Sequence, residues 1–369
     1  MSIFSTDDYR FMARALQLAE RGRYTTDPNP RVGCVIVRGG EIVGEGWHMR
    51  VGEPHAEVHA LRQAGERAQD ATAYVTLEPC SHRGRTPPCA AALVTAKLRR
   101  VVVAMKDPFP QVAGQGLAHL QAAGIEVACG LMTTQAEALN PGFLRRQRRG
   151  RPYVRCKVAM SLDGRTAMAS GESKWITSPE ARQDVQRLRA RSSAIVTGIG
   201  TVLADDPLLT VRLDEEVKQP VRVVLDSQLR FPLQAKMLSR GGPVWIATEK
   251  GHSGQQESLR RAGAEIVDLP PQRGHAPGVD LDALLLALAE KSINEVLVEA
   301  GPTLSGAMIA GGWVDELVVY MAPHLMGSEA RGLLHLPGLT TMAQRIELDI
   351  FDLRSVGRDI RLSARLQRR

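Results

Sequence analysis

The residues best suited to chemistry lie between His55 and Cys89: His55-Ala56-Glu57, then Glu78-Pro79-Cys80, then Pro87-Pro88-Cys89. One imidazole and two thiols supply three zinc ligands, and three rather than four leave a position for water. A carboxylate two residues after the histidine is placed to take the proton that this water loses. This is the donor set of zinc-dependent base deaminases, in which a non-ligand Glu carries protons from the attacking water to the departing ammonia. Zinc suits the task because it brings the pKa of water from about 15.7 down to about 7.

The spacing needs weighing against blander readings. The common deaminase form is Pro-Cys-x-x-Cys, whereas eight residues separate Cys80 from Cys89 here. Two free buried thiols and a helix-capping histidine would account for each residue singly, but not for His-x-Glu, Pro-Cys and a second Cys together. His55 and His59 stand one helical turn apart, as in zinc proteases. That motif requires Glu directly after the first His, and Ala56 occupies the place.

The elements that position these groups follow from apolar spacing. Residues 7–21 read as a helix, 33–37 and 42–47 as a hairpin across Gly39-Gly40, 55–64 as a helix, 73–77 as a strand and 88–96 as a helix opened by proline. The ligands then sit at the N-termini of two neighbouring helices, where thiolate is favoured over thiol. Residues 101–105, 116–123, 126–129 and 134–149 continue as strand, helix, strand, helix, which predicts an α/β sandwich.

From Pro152 the pattern restarts. Strands are expected at 153–159, 194–197, 221–226, 244–247, 265–269, 295–299 and 316–321, with helices at 179–191, 255–262, 281–291 and 304–310. Two alternating runs, 346–353 and 360–366, close the chain. Segments 161–165 and 203–207 read as dense polar loops, where α/β domains place ligands. Glu299-Ala300-Gly301-Pro302 turns from a strand into a helix N-terminus, a ready anion site. The boundary falls near Gly150, giving domains 1–149 and 150–369.

Composition narrows the class. With 369 residues, 44% of them hydrophobic, the chain is long enough for two or three globular cores. No apolar run approaches the roughly 20 residues of a membrane span. Five cysteines are too few and odd in number for a secreted disulfide scaffold, so the cytoplasm is the expected location. A net charge of +7 favours anionic partners, phosphorylated metabolites as well as nucleic acid. The sharpest basic cluster, Arg145, Arg146, Arg148, Arg149 and Arg151, lies at a helix end, where arginines complement the helix dipole. Aromatics make up only 4% of the chain and are not interleaved with basic residues for stacking on bases, which argues against nucleic acid.

Over almost its whole length the chain resembles the bifunctional deaminase–reductases of riboflavin biosynthesis. The motifs that carry this are Asn29-Pro30-x-Val32-Gly33, His55-Ala56-Glu57, Leu77-Glu78-Pro79-Cys80-Ser81-His82 with Thr86-Pro87-Pro88-Cys89, and Asp107-Pro108. In the second half they are Lys157, Ser161-Leu162-Asp163-Gly164-Arg165, Ser173-Lys174-Trp175-Ile176-Thr177, Asp205-Asp206-Pro207, Leu209-Thr210-Val211-Arg212 and Glu299-Ala300-Gly301-Pro302. The long Cys80–Cys89 spacer is this family's own form.

The resemblance implies a cytidine-deaminase-like α/β/α sandwich followed by a dihydrofolate-reductase-like α/β domain. It implies removal of an amino group from a diaminopyrimidinone bearing a phosphoribosylamino arm, then NADPH-dependent reduction of that arm. His55, Cys80 and Cys89 would hold one zinc, Glu57 would move protons, and Asn29 and His82 would line the pyrimidine pocket. Nucleotide contacts are implied at Ala159, Trp175, Thr201, Asp205, Ser227, Gly301, Pro302, Thr303, Leu304, Ser305, Gly306 and Ala307. Substrate contacts are implied at Ser173, Arg189, Leu209, Arg212 and Glu299, the arginines facing the phosphate. Lys157 and Asp205 are the candidate proton donors of the reduction. A rival reading is a nucleic-acid deaminase with a C-terminal binding module, which need not take up a dinucleotide. Either reading leaves room for a homo-oligomer.

Overall fold

The computed structural model describes residues 4–81, 88–109, 112–249, 253–271 and 278–367. The chain divides into two compact units, Met1–Gly150 and Arg151–Arg369.

In the first unit, α1 (Thr6–Ala19) begins with a capping box between Ser5 and Asp8. β1 (Gly33–Arg38) and β2 (Glu41–Trp47) pair antiparallel across the Gly39-Gly40 turn. Then follow α2 (Ala56–Ala64), β3 (Thr72–Val75), α3 (Cys89–Thr95), β4 (Arg100–Val103), α4 (Gln115–Ala122), β5 (Glu126–Cys129), α5 (Thr133–Leu139) and α6 (Pro141–Arg149). The sheet runs β2-β1-β3-β4-β5, with β3, β4 and β5 parallel. Its strands are apolar on both faces, as buried parallel strands must be. Ala60, Leu93 and Leu120 from α2, α3 and α4 cover one face, and Phe11, Leu139 and Leu144 from α1, α5 and α6 cover the other. The result is an α/β/α sandwich.

The single helix expected over 134–149 is two. Pro141 has no N–H and its ring obstructs the preceding turn, so α5 ends and α6 begins around Asn140. The buried Asn140 side chain turns this break to use. It accepts from the Arg31 N–H at 2.8 Å and donates to the Arg31 carbonyl at 2.9 Å, bracing the segment that carries Asn29.

In the second unit, β6 (Tyr153–Ser161) and the short β7 (Arg165–Ala167) precede α7 (Pro179–Ala190), β8 (Ala194–Gly198), α8 (Ile199–Asp205), β9 (Val221–Leu225) and α9 (Lys236–Ser239). Next come β10 (Val244–Glu249), α10 (Ser253–Arg261), β11 (Ala264–Leu269), α11 (Leu281–Glu290), β12 (Glu295–Val298), α12 (Pro302–Ala310) and β13 (Glu316–Ala322). β14 (Arg331–Gly332) pairs with β7, and β15 (Leu348–Val356) and β16 (Asp359–Leu366) finish the chain. A nine-stranded sheet runs β11-β10-β9-β8-β12-β6-β13-β16-β15, parallel as far as β13. One face packs on α11 and α12, through Leu284, Leu288 and Met308 among others. The opposite face packs on α7, α8, α9 and α10 through residues such as Val185, Val202, Met237 and Leu259.

Here the expected loop at 203–207 is partly helix. α8 continues to Asp205, and Asp206 takes a left-handed conformation (φ 41°) as its C-cap. Among the described residues no helix is long and apolar enough to cross a membrane.

Candidate functional site

His55 is the N-cap of α2 and Cys89 the first residue of α3, while Cys80 lies in the loop after β3. Their ligand atoms lie within 4.8 Å of one another. His55 Nδ1 is 3.7 Å from Cys80 Sγ and 3.3 Å from Cys89 Sγ. Zinc bonds of about 2.3 Å to sulfur and about 2.0 Å to nitrogen, arranged tetrahedrally, separate ligands by roughly 3.3–3.8 Å, so the donors fit this ion. The Cys89 amide donates to Cys80 Sγ at 3.3 Å. A hydrogen bond from Cys89 and the nearby His55 hold the Cys80 thiol down at about 4. The same contact with Cys80, then burial, push Cys89 up.

Glu57, the second residue of α2, is almost fully buried, and its Oε2 has no hydrogen-bond partner among the described residues. Burial pushes its carboxyl up to about 7. A group with balanced proton affinity near neutrality can both take up and return a proton.

Two supports around this centre were not foreseen from sequence. Buried His48 lies with its Nδ1 3.2 Å from the Pro54 carbonyl and its Nε2 3.1 Å from Asn29 Nδ2. A carbonyl only accepts, so Nδ1 carries the proton and Nε2 accepts from the Asn29 amide. Burial lowers the His48 pKa, consistent with this neutral form. Asn29 Oδ1 is thereby turned away from His48.

The second support is Glu78. Its buried carboxylate accepts from the amides of Asp107 (3.0 Å), Gly114 (2.9 Å), Gly116 (2.9 Å) and Leu117 (3.4 Å). α4 has no capping side chain of its own, so Glu78 caps it from across the fold. A Cβ on Gly116 would stand 2.0 Å from the Pro79 carbonyl, so only glycine lets α4 close on the segment that leads to Cys80. His82 lies outside the described residues.

In the second unit most of the expected residues collect at the C-terminal ends of adjacent parallel strands. Ala159 is on β6, Thr201 on α8 just past β8, Ser227 two residues past β9, and Glu299 immediately past β12. Crevices at such ends are where open α/β sheets bind ligands. Arg189 pairs with Glu299 through two bonds, Nε–Oε1 at 2.6 Å and Nη2–Oε2 at 2.9 Å, and its Nη1 donates to the Thr210 carbonyl at 3.1 Å. Burial favours a protonated Glu299, but Arg189, Lys157 and Arg212 outweigh it and hold the pKa below the usual carboxylate range. Burial lowers the Lys157 pKa. Arg212 is exposed, and its amide is fixed by Gln186 Oε1 at 3.0 Å.

Several expected contacts sit differently from what ligand-facing residues require. Leu209 turns its side chain into the core at a left-handed φ of 48°, leaving only its backbone for a ligand. Ser305 is buried, with its hydroxyl on the Ala300 carbonyl at 3.3 Å. A Cβ on Gly306 would stand 2.0 Å from the His335 carbonyl, so this glycine has a packing role of its own. In the same turn Gly301 and Thr303 are exposed. Ser173 and the exposed Trp175 ride on the loop after β7, which a Lys174–Asp205 ion pair of 2.9 Å ties to the end of α8.

A His-Cys-Cys centre beside a buried Glu is the donor set of a zinc-dependent deaminase, here joined to a second unit built on a largely parallel sheet. Residues 5–105 match the cytidine and deoxycytidylate deaminase zinc-binding region, and residues 152–362 match the RibD C-terminal domain. The riboflavin biosynthesis protein RibD of Escherichia coli K12 is 56% identical over 96% of this chain and 98% of its own, and that of Haemophilus influenzae is 50% identical over 98% of each. The Acinetobacter baumannii RibD structure superposes with a TM-score of 0.91 at 48% identity, covering 98% of this chain and 99% of that one. A Thermotoga maritima diaminohydroxyphosphoribosylaminopyrimidine deaminase/5-amino-6-(5-phosphoribosylamino)uracil reductase gives 0.86 at 30% identity over the same shares. The chain belongs to the RibD family, the bifunctional deaminase–reductases of riboflavin biosynthesis. The binding-module reading of the second half falls with this match.

Proposed function

We propose that residues 1–149 deaminate 2,5-diamino-6-(5-phosphoribosylamino)pyrimidin-4-one and that residues 150–369 reduce the ribosyl arm of the product to ribityl with NADPH, both in the cytoplasm. The observation that carries the first step is the convergence of His55, Cys80 and Cys89 within 4.8 Å beside the unpartnered Glu57 Oε2. Zinc, when bound by these three, supplies Lewis acidity and a water that ionises near neutral pH. Glu57 would take up a proton at its buried carboxylate and return it to the leaving amino group. Asn29, its amide oriented by His48, offers Oδ1 to a ring N–H of the pyrimidine. Family resemblance makes His82 a further candidate for contact with the pyrimidine.

In the reductase, hydride transfer needs orientation and electrostatics rather than a nucleophile. Ala159, Thr201, Ser227 and the turn 301–307 surround the nucleotide cofactor, Ser305 and Gly306 through backbone and packing. Trp175, on the loop after β7, and Asp205, at the end of α8 and joined to that loop through Lys174, would contact the same cofactor. Ser173, Glu299 and the Leu209 backbone contact the substrate. Arg189 is largely committed to Glu299 and Thr210, so Arg212 is the principal phosphate ligand and Arg189 sets the field around it. Of the two proton-donor candidates, Lys157 stands beside Glu299 with a lowered pKa, whereas Asp205 is spent on Lys174. Zinc-loaded full-length protein given the diaminopyrimidine and NADPH should release ammonia and then oxidise an equal amount of NADPH. Absence of either product overturns the reading.

A further inference from the structure

We propose that Thr197 is a positioning residue of the reductase, holding the Glu299 carboxylate from the sheet side; this rests on the reading of Glu299 as a substrate contact. Side chains alternate along a strand. On β8, Ala194 and Val196 pack with α11 and α12, while Ile195 joins the opposite core, so Thr197 faces the α7 side. Val298 of β12 lies level with Val196 of β8 and with Cys156 of β6, and the Glu299 amide donates to the Val196 carbonyl at 3.0 Å. One step further along, Thr197, Glu299 and Lys157 therefore form a lateral row across three parallel strands, about 4.8 Å apart. The row ends in Val224 on β9 and Val318 on β13, both core residues of the same face.

Thr197 is fully buried, and its hydroxyl has no hydrogen-bond partner among the described residues. Valine has nearly the same shape, occupies both ends of the row, and would avoid burying an unsatisfied hydroxyl, which destabilises a fold. A buried hydroxyl kept beside the charged cluster implies a partner gained in the working enzyme. Glu299 is that partner. Each of its oxygens is engaged once by Arg189 and retains capacity to accept again. When a bound phosphate draws on the arginines, the Thr197 hydroxyl keeps the carboxylate on the sheet side, where it meets the substrate.

The test compares Thr197→Val and Thr197→Ser in the zinc-loaded full chain. Thr197→Val should raise KM for the deaminated pyrimidine substrate about ten-fold. It should leave the Kd for NADPH and ammonia release at wild-type values, with Tm unchanged or higher. Thr197→Ser should restore KM to within about two-fold, since it returns the hydroxyl. In a Glu299→Gln background Thr197→Val should add nothing, because both act on one contact. A wild-type KM for Thr197→Val beside an impaired Glu299→Gln overturns the inference alone. A wild-type KM for Glu299→Gln overturns the Glu299 reading and the inference with it. A lowered Tm in Thr197→Val would mean that the hydroxyl serves stability, and that also overturns the inference.

Discussion

At the residue scale the two sites use charge in opposite ways. Glu57 is buried without a cation bonded to it and is pushed up to about 7, so it exchanges a proton readily near neutrality. Glu299 is partly buried yet its pKa is held below the usual carboxylate range, because Arg189, Lys157 and Arg212 act on it. Counting Lys157, Arg189 and Arg212 against Glu299, the reductase cluster is left with an excess of positive charge, and a phosphate monoester answers it. Arg212 is the exposed member, so Arg212→Ala should raise KM for the phosphorylated substrate while NADPH binding stays nearly unchanged. Loss of a charge-assisted hydrogen bond of about 1.5–3 kcal/mol corresponds to roughly a ten- to hundred-fold fall in kcat/KM. Arg212→Lys should recover part of this, since an ammonium lacks the planar fork. Steady-state kinetics with phosphorylated and dephosphorylated substrates decide it: equal losses on both would show that Arg212 supports the fold or the cofactor instead.

At the element scale, His55 and Cys89 are placed by helix starts and Cys80 by a loop, and a helix start can itself be placed by a side chain distant in sequence. α4 illustrates this, because the amides of its first turn are served by Glu78 rather than by a residue of its own. Glu78→Gln keeps the shape but offers one acceptor and turns an NH2 toward backbone donors. It should destabilise the first unit by about 1.5–3 kcal/mol in denaturant unfolding. It should also speed zinc loss to a chelator, because the segment leading to Cys80 loosens. Unchanged unfolding and zinc retention would remove Glu78 from this role. Such supports mark the limit of what could be read in the chain beforehand. His55, Glu57, Cys80 and Cys89 were legible because their chemistry is intrinsic and closely spaced. His48, Asn140 and Thr197 were not, because their meaning depends on strand register or on a partner such as Arg31, 109 residues from Asn140. The helix break at Asn140 was masked by apolar spacing that continues past Pro141, and the tail of α8 was hidden by a polar run that resembles a loop.

At the scale of the whole molecule, each unit carries its own cores and its own cluster of ionisable groups. The first has a five-stranded sheet with cores on both faces and the complete His55-Cys80-Cys89-Glu57 set. The second has its own nine-stranded sheet, two further cores and the Lys157-Arg189-Arg212-Glu299 cluster. No described residue of one set is drawn from the other unit. Parallel strands restarting after Gly150 made this division readable in the sequence, although the supports within each unit were not. Independent cores predict independent chemistry. Glu57→Gln retains size and hydrogen bonding but cannot shuttle a proton, so ammonia release should fall by about 10² to 10⁴. The same protein should bind zinc as before and oxidise NADPH at the wild-type rate when supplied with the deaminated intermediate. Arg212→Ala should show the converse, normal ammonia release with impaired reduction. If folded, zinc-replete Glu57→Gln also failed to reduce supplied intermediate, the two reactions would have to share one site, and the assignment of a separate chemistry to each unit would be lost.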